Sequence, residues 1–387
     1  MVSRLRRVLV SIGITFMCAA TVLGQGRGGG GRGGGGGDQG GQAGRGNQQQ
    51  TQAQQAALAA RQREIQATVK LADDLAAGQP APNDFGLAWM REDFMKAGPS
   101  RQYVPFTVTV DASKFTGQPV SLYWRVAAKN AAPVPAAPAA PAAAGAPAPR
   151  AQFAYEDINF IAGITPGAGG VPARISRSFS VPAGPYDVFV AIKETTSAQP
   201  NAAPPKMAVL KQTINVPDFW TTDLNTSSVL VAERIDPVGA PLTAEQMVER
   251  PYALGPIEIT PVASTKFTKL STLKVFLLIY NAKADAASKP DVTVEYNFCQ
   301  AAAGTEAKEG DVCKAGEKFF NKTNAQGLNA QLLPPEFSLA AGHQLQTGQE
   351  VPLASFPEGT YRLEIKVTDK LATKSVTKDI NFTVSGS

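Results

Sequence analysis

The sequence predicts a mainly β protein with two sandwich domains in series, and three observations carry that prediction. The first is a short pattern that occurs twice. Val181-Pro182-Ala183-Gly184-Pro185-Tyr186 and Phe356-Pro357-Glu358-Gly359-Thr360-Tyr361 each lead into a strand of alternating apolar and polar residues. The second is a series of further runs with the same period-two alternation, between Tyr103 and Val384. The third is length, since 387 residues have room for two or three domains that each bury a core. In both copies of the pattern, Pro182 and Pro357 fix φ at the entry, and Gly184 and Gly359 supply a permissive backbone. Tyr186 and Tyr361 can then bury their rings while each hydroxyl returns to an upstream backbone group. That is the logic of the tyrosine corner in immunoglobulin-like sandwiches.

Taken in order, the chain opens on an address. Arg4, Arg6 and Arg7 precede an apolar stretch from Val8 to Leu23, so residues 1–24 read as a secretory signal peptide. About 16 apolar residues is short for a membrane span, and no transmembrane segment is expected once the signal is removed. Its three arginines account for much of the net charge of +5. Export places the protein in the periplasm, at the cell surface or outside the cell. There Cys299 and Cys313 are the remaining cysteines, an even pair in an oxidising compartment. A disulfide between them closes a loop of about 15 residues, worth roughly 3 kcal/mol in the chain-entropy account.

Residues 25–50 are almost wholly Gly, Arg and Gln and predict a disordered spacer. Their Arg-Gly repeats look like a nucleic-acid-binding tail, but behind a signal peptide they read as a flexible spacer, and no nucleic-acid partner is expected. Residues 51–78 are rich in helix formers and stop at Gly78. Leu58, Ile65, Val69 and Ala72 give a narrow apolar stripe that suits a helix docked on the next domain, or partly frayed, better than a coiled coil.

The first sandwich spans 79–218. Trp89 and Phe94 are expected to cap one open end of it. Val104, Phe106, Val108 and Val110 form one inward face, and Leu122, Trp124 and Val126 another. Trp124 resembles the core Trp of an immunoglobulin-like strand C. Residues 131–149 are an Ala/Pro insertion between strands. Phe153 and Tyr155 share one parity and Ile158 and Phe160 the other, which predicts a bulge or a strand break near Glu156–Asp157. Ile175, Phe179 and Val181 lead into the first corner, and residues 195–205 form a polar loop before the closing strand, Leu210 to Val216.

The second sandwich spans 219–387. Residues 227–232 predict its first strand, and Leu273 to Tyr280 is apolar on both faces, as a central strand covered twice would be. What covers its second face, the segment 235–260 or the first domain, is open at this level. Val292, Val294, Tyr296 and Phe298 alternate cleanly into Cys299, and Val376, Ile380, Phe382 and Val384 close the domain. Ile214-Asn215-Val216 after the first corner matches Ile380-Asn381-Phe382 after the second, with nine extra residues in the first copy assigned to the 195–205 loop.

Chemistry is sparse. His343 is the one histidine and reads as a solvated or cap residue in a loop. No nucleophile elbow, phosphate-cradling loop or paired-histidine metal motif is present, so no cofactor, no metal and no enzymatic activity are expected. Glu92–Asp93 and Asp73–Asp74 read as solvated acids. Tyr123 and Phe189 lie on outward parity and are candidates for a surface aromatic patch.

Three stretches carry a family resemblance: Tyr103 to Asp111, Ser227 to Glu233, and Tyr361 to Asp369. Together they resemble exported acidobacterial proteins of uncharacterised role that carry Ig-like modules, some beside von Willebrand-A-related or GWxTD-type domains. Phe219-Trp220-Thr221-Thr222-Asp223 is similar to the GWxTD signature with Phe in place of Gly, and that assignment is not carried over. The resemblance covers most of 85–385 and implies the Ig-like fold without implying an activity.

The expectation is therefore an exported, non-enzymatic scaffold or adhesion-type interaction protein, its partner a protein or an envelope glycan. A carbohydrate-binding module is the alternative, which the aromatics Tyr123 and Phe189 would serve. An enzyme of unrecognised type is the second, which would need His343 beside carboxylates in a cleft.

Overall fold

A computed structural model describes residues 43–129, 153–164, 170–197, 201–306 and 312–386. The expected signal peptide, residues 25–42 of the expected spacer and the Ala/Pro insertion lie outside those residues. The fold is mainly β, with one long helix. That helix, α1 (Ala43–Ala76), starts eight residues earlier than expected, inside the predicted spacer. Gln48 to Gln50 are good helix formers, and extending an existing helix costs far less than nucleating one.

The first half of the chain forms β1 (Ala88–Glu92), β2 (Met95–Lys96), β3 (Gln102–Val110), β4 (Val120–Ala128), β5 (Tyr155–Ile161), β6 (Ala173–Val181), β7 (Gly184–Glu194) and β8 (Met207–Val216). In one sheet β3 pairs with β1, β2 and β6, and the other runs β5-β4-β7-β8. Between the two sheets lie Val104, Phe106, Leu122, Trp124, Phe179, Tyr186 and Val190, all buried. Those are the inward positions that alternation assigns.

Two expectations need correction here. The segment around Trp89 is an edge strand rather than an end cap. It pairs antiparallel with β3 (Trp89 opposite Val108), and the Trp89 ring stacks on Phe106 at 5.0 Å. Neither a bulge nor a break interrupts β5, whose residues pair with β4 one for one from Ile161 opposite Val120 to Tyr155 opposite Val126. Both parities of β5 carry apolar residues because both faces are covered. Tyr155 and Ile161 pack on the sandwich core, while Ile158 meets the cluster under α1 and Phe160 lies beneath Arg61 at 4.7 Å.

The covering element is α1. Val69 and Ala72 bury against Tyr123, Phe189, Ala191 and Val209 on the outer face of the β5-β4-β7-β8 sheet. Polar groups flank that contact: Lys193 Nζ lies 2.6 Å from Glu64, Thr68 and Ser121 share a hydroxyl bond of 2.6 Å, and Arg125 pairs with Asp73. Residues 52–60 of α1 are exposed, and Arg61 is the next residue along, lying over Phe160 of the sheet.

The second half forms β9 (Asn225–Thr226), β10 (Leu230–Pro237), α2 (Ala244–Glu249), β11 (Ala253–Leu254), β12 (Ile257–Pro261), β13 (Lys266–Thr268) and β14 (Thr272–Tyr280). These are followed by β15 (Asp291–Ala301), β16 (Glu317–Lys322), β17 (Gln326–Asn329), β18 (Leu345–Pro352), β19 (Gly359–Asp369) and β20 (Lys374–Ser385). One sheet runs β11-β12-β10-β14-β18, with β9 beside β14; the other runs β13-β20-β19-β15-β16, with β17 beside β15. Leu277, Val294, Tyr296, Phe298, Ile365 and Phe382 fill the space between them. The strand expected at 227–232 runs 230–237, after the short β9 at 225–226.

The two halves share a connection pattern: β1-β3-β6 facing β5-β4-β7-β8 corresponds to β10-β14-β18 facing β16-β15-β19-β20. Register corrects the repeat read from sequence. Tyr186 stands opposite Ile214, but Tyr361 stands opposite Phe382, not Ile380. Phe382 is thus the counterpart of Ile214, and Val384, opposite Gly359, is the counterpart of Val216, opposite Gly184. The Ile-Asn match lay two residues out of register, a shift that period-two alternation conceals.

Candidate functional site

The two sandwiches meet along a buried seam. Phe276, Leu278 and Tyr280, the second face of β14, pack with Tyr252 and Ile259 and with Met95 from the first sandwich. Both covers left open by the sequence are therefore used at once. Polar groups stitch the seam. Phe94 N–H donates to Ser228 Oγ at 2.9 Å, Lys96 N–H to the Tyr280 hydroxyl at 3.1 Å, and the Tyr103 hydroxyl to Pro251 O at 2.8 Å. Burial pushes the Tyr103 hydroxyl up to about 12.

At its centre is Asp93, read from sequence as solvated but only 3% exposed. Arg91 grips it with two bonds, 2.8 and 2.9 Å, and the Tyr252 hydroxyl donates to it at 2.9 Å. Burial, then the Asp93 charge, raise the Tyr252 hydroxyl far above its ordinary range, so it stays a donor. Sequence reasoning missed this group because Arg91 on β1 and Asp93 just past its end are indistinguishable from a surface pair until the second sandwich covers them.

Beside the seam lies a groove of about 420 Å³. Its sides are β20 and the 225–229 segment, the edges of the two facing sheets of the second sandwich. Asp93 and Phe94 from the first sandwich and Phe219 from the connection also line it. Lys378 projects from β20 on the parity of Ile380 and Phe382, and burial lowers its amine pKa. Among the described residues it makes no ion pair or hydrogen bond. A lysine at an inward position was visible in the sequence and is the signal that reasoning passed over.

The predicted site residues lie elsewhere, in three separate places. Tyr186 donates its hydroxyl to Pro182 O at 3.0 Å, and Tyr361 donates to Pro357 O at 2.7 Å. Gly184 and Gly359 sit at φ 143° and 147°, a region closed to most side chains, so each corner needs its glycine. Cys299 and Cys313 form a disulfide with Cα atoms 5.7 Å apart. Their sulfurs lie near the Glu317 carboxylate, but a cystine is no metal ligand, and Arg362 already engages Glu317 at 2.7 Å. Arg362, only 4% exposed, also pairs with Asp379 at 2.8 Å and donates to Val312 O at 2.9 Å, which ties the cystine loop to β19 and β20. Those bonds raise Arg362 beyond its ordinary range and, from Arg362 first, hold Glu317 below the usual carboxylate range.

His343 is half-buried in its loop, where its Nδ1 accepts from Ser338 N–H at 3.0 Å and its ring meets Phe337 edge-on at 5.6 Å. That is a loop-closing role, and among the described residues no carboxylate bonds to the imidazole. Tyr123 and Phe189 are buried beneath α1, which corrects the expected aromatic surface patch. The outward parity was right, but the helix occupies that face.

No family model and no curated protein matches the chain. Solved structures that match include Salmonella α-2-macroglobulin reacted with methylamine, at 11% identity over 79% of this chain, TM-score 0.20. The native conformation of E. coli α-2-macroglobulin matches at 10% identity over 80%, TM-score 0.19. The chain spans 16% and 15% of those proteins' own lengths.

Proposed function

We propose that this protein is an exported, non-enzymatic interaction scaffold, in which two Ig-like sandwiches are held in one fixed relation so that their surfaces face a partner together. The observation that carries this reading is the seam. Its apolar cluster and its buried Arg91–Asp93–Tyr252 group are what a permanent contact needs, whereas domains that move past each other meet through smaller, more polar surfaces. The occupied roles of His343 and of the cystine leave neither as a reacting group, which supports a binding role over chemistry. The carbohydrate-module alternative loses its sequence basis, because Tyr123 and Phe189 lie under α1.

Site-specific photo-cross-linking in the producing cells tests this. A photoreactive residue is placed in turn at Trp220, Leu270 and Phe319, all exposed. One position is expected to yield a single envelope-borne adduct that the others do not. Absence of adducts from every surface position would overturn the scaffold reading. The mass of the mature chain tests export, with an N-terminus at Gln25 expected.

A further inference from the structure

The groove at the seam has the makings of a ligand site that the scaffold reading does not require. β13 pairs with β20 only over residues 383–385, so the strand edge that carries Lys378 is unpaired among the described residues. The two acids that line the groove are already neutralised: Asp93 by Arg91 and Tyr252, Asp379 by Arg362 and by Lys314 at 2.5 Å. Lys378 is therefore the one lining charge without a counter-charge among the described residues. Ser228 Oγ accepts from Phe94 N–H, which leaves its own O–H to donate. Phe94, Phe219 and Ile380 supply apolar wall. A half-buried ammonium, a hydroxyl donor and apolar walls are the complement of a carboxylate on a compact apolar body, and about 420 Å³ suits a small ligand.

We propose that this groove binds a carboxylate-bearing ligand, with the carboxylate at Lys378 and the apolar body against Phe94, Phe219 and Ile380. The carboxylate belongs either to a free small acid or to the C-terminus of a peptide. Both present the same chemistry, and the test separates them.

Calorimetric titration of the mature chain with phenylacetate and with acetyl-Ala-Ala-Leu, each against its primary amide, provides that test. Saturable binding of at least one acid is expected, tighter than its amide by about tenfold, the usual worth of one charge-assisted hydrogen bond. Whichever acid binds tighter identifies the source. Lys378→Met should erase the preference for acid over amide, and Lys378→Arg should keep it, with the melting temperature of both near that of the unmodified chain. Binding should weaken as pH rises and the Lys378 amine loses its proton. Equal binding of acid and amide, no saturation of either acid by about 10 mM, or an acid preference that survives Lys378→Met would overturn the proposal. So would self-association of Lys378→Met in a chain whose unmodified form ignores both acids. Lys378 would then be a guard against edge-to-edge pairing.

Discussion

The Tyr252 hydroxyl and the Asp93 carboxylate meet across the boundary between the two sandwiches, 2.9 Å apart and each 3% exposed. Asp93 already holds Arg91, so the three groups form one buried unit whose members depend on each other. Tyr252→Phe removes one donor and is expected to cost about 1–3 kcal/mol. Asp93→Ala strands a mostly buried guanidinium and should cost about 3–5 kcal/mol. Scanning calorimetry reads both. The unmodified chain should melt in one transition, and Asp93→Ala should split it in two as the sandwiches uncouple. An unshifted single peak in both variants would count against the seam as the coupling element.

The two corners allow a matched comparison. Tyr186→Phe and Tyr361→Phe each lose one hydroxyl bond to a proline carbonyl, about 1 kcal/mol apiece, while truncation to Ala should cost about 3–5 kcal/mol. Gly184→Ala and Gly359→Ala meet the same backbone strain, about 1–3 kcal/mol. Gly359→Ala should be the worse, since its new Cβ would lie 3.2 Å from Gln300 Nε2, whereas at Gly184 the nearest atom is 3.8 Å away. Urea titration of the six single variants gives the ranking.

What was legible in the sequence was what depends on short range. Alternation names Val104, Phe106, Leu122, Trp124 and Phe179 as inward because a strand's period is fixed by its backbone, and all are core. The corner needs only six contiguous residues. What was not legible depends on which faces end up covered. Tyr123 and Phe189 have the parity of surface residues, and nothing local says that a helix from far upstream lies on them. Ile158 and Phe160 gave a false bulge for the same reason. Asp93 differs from a surface acid only once the second sandwich covers it, whereas Lys378 already stands at an inward position in the sequence. The mismatch between Ile380 and Phe382 has a different origin. A slip of two preserves the inward face, so sequence pattern cannot detect it.

Opening the Cys299–Cys313 bond should destabilise the second sandwich by roughly 3 kcal/mol, the entropy of a loop of this size. The structure adds where the effect appears. Val312 O and Glu317 are both held by Arg362, which is anchored separately to Asp379 on β20. In Cys299→Ser/Cys313→Ser, amide exchange should therefore rise most in residues 312–317 and least in the β15–β19 ladder. Uniform acceleration across β15 and β19 would show that the cystine supports the whole sheet.

Asp157 gives a pH dependence with a defined sign. Burial raises its pKa above the ordinary carboxylate value, and the Ile158 N–H and the Arg177 charge only partly offset this. Above the raised folded value, the native state carries a charge that the unfolded chain hydrates better. The resulting penalty fades as pH falls through that value and is absent below the unfolded pKa near 3.8. Asp157→Asn should accordingly raise the melting temperature at pH 7, with the gain shrinking to nothing by about pH 3. A variant less stable at pH 7 would mean that attraction between Asp157 and Arg177 outweighs desolvation.

The helix divides into a part that holds the fold and a part that does not. Residues 52–60 are exposed, so deleting the chain through residue 60, which keeps Arg61 over Phe160, should leave the melting temperature within about 1 °C. Deletion through Gly78 is different in kind. It uncovers Tyr123, Phe189 and Val209, and it removes the carboxylates of Glu64 and Asp73 from Lys193 and Arg125, whose side chains are only 6% and 2% exposed. Stranding two cations at such positions should cost about 3–5 kcal/mol each, less whatever solvent returns to them once the cover is gone. The uncovered face should bind a hydrophobic dye and draw two copies together, since apolar patches of that kind seldom stay free in water. Dye fluorescence and light scattering on the two truncations read this directly. If the longer deletion melts like the shorter one and stays monomeric, α1 is a passenger on the sandwich, and the burial of Tyr123 and Phe189 has to come from another partner.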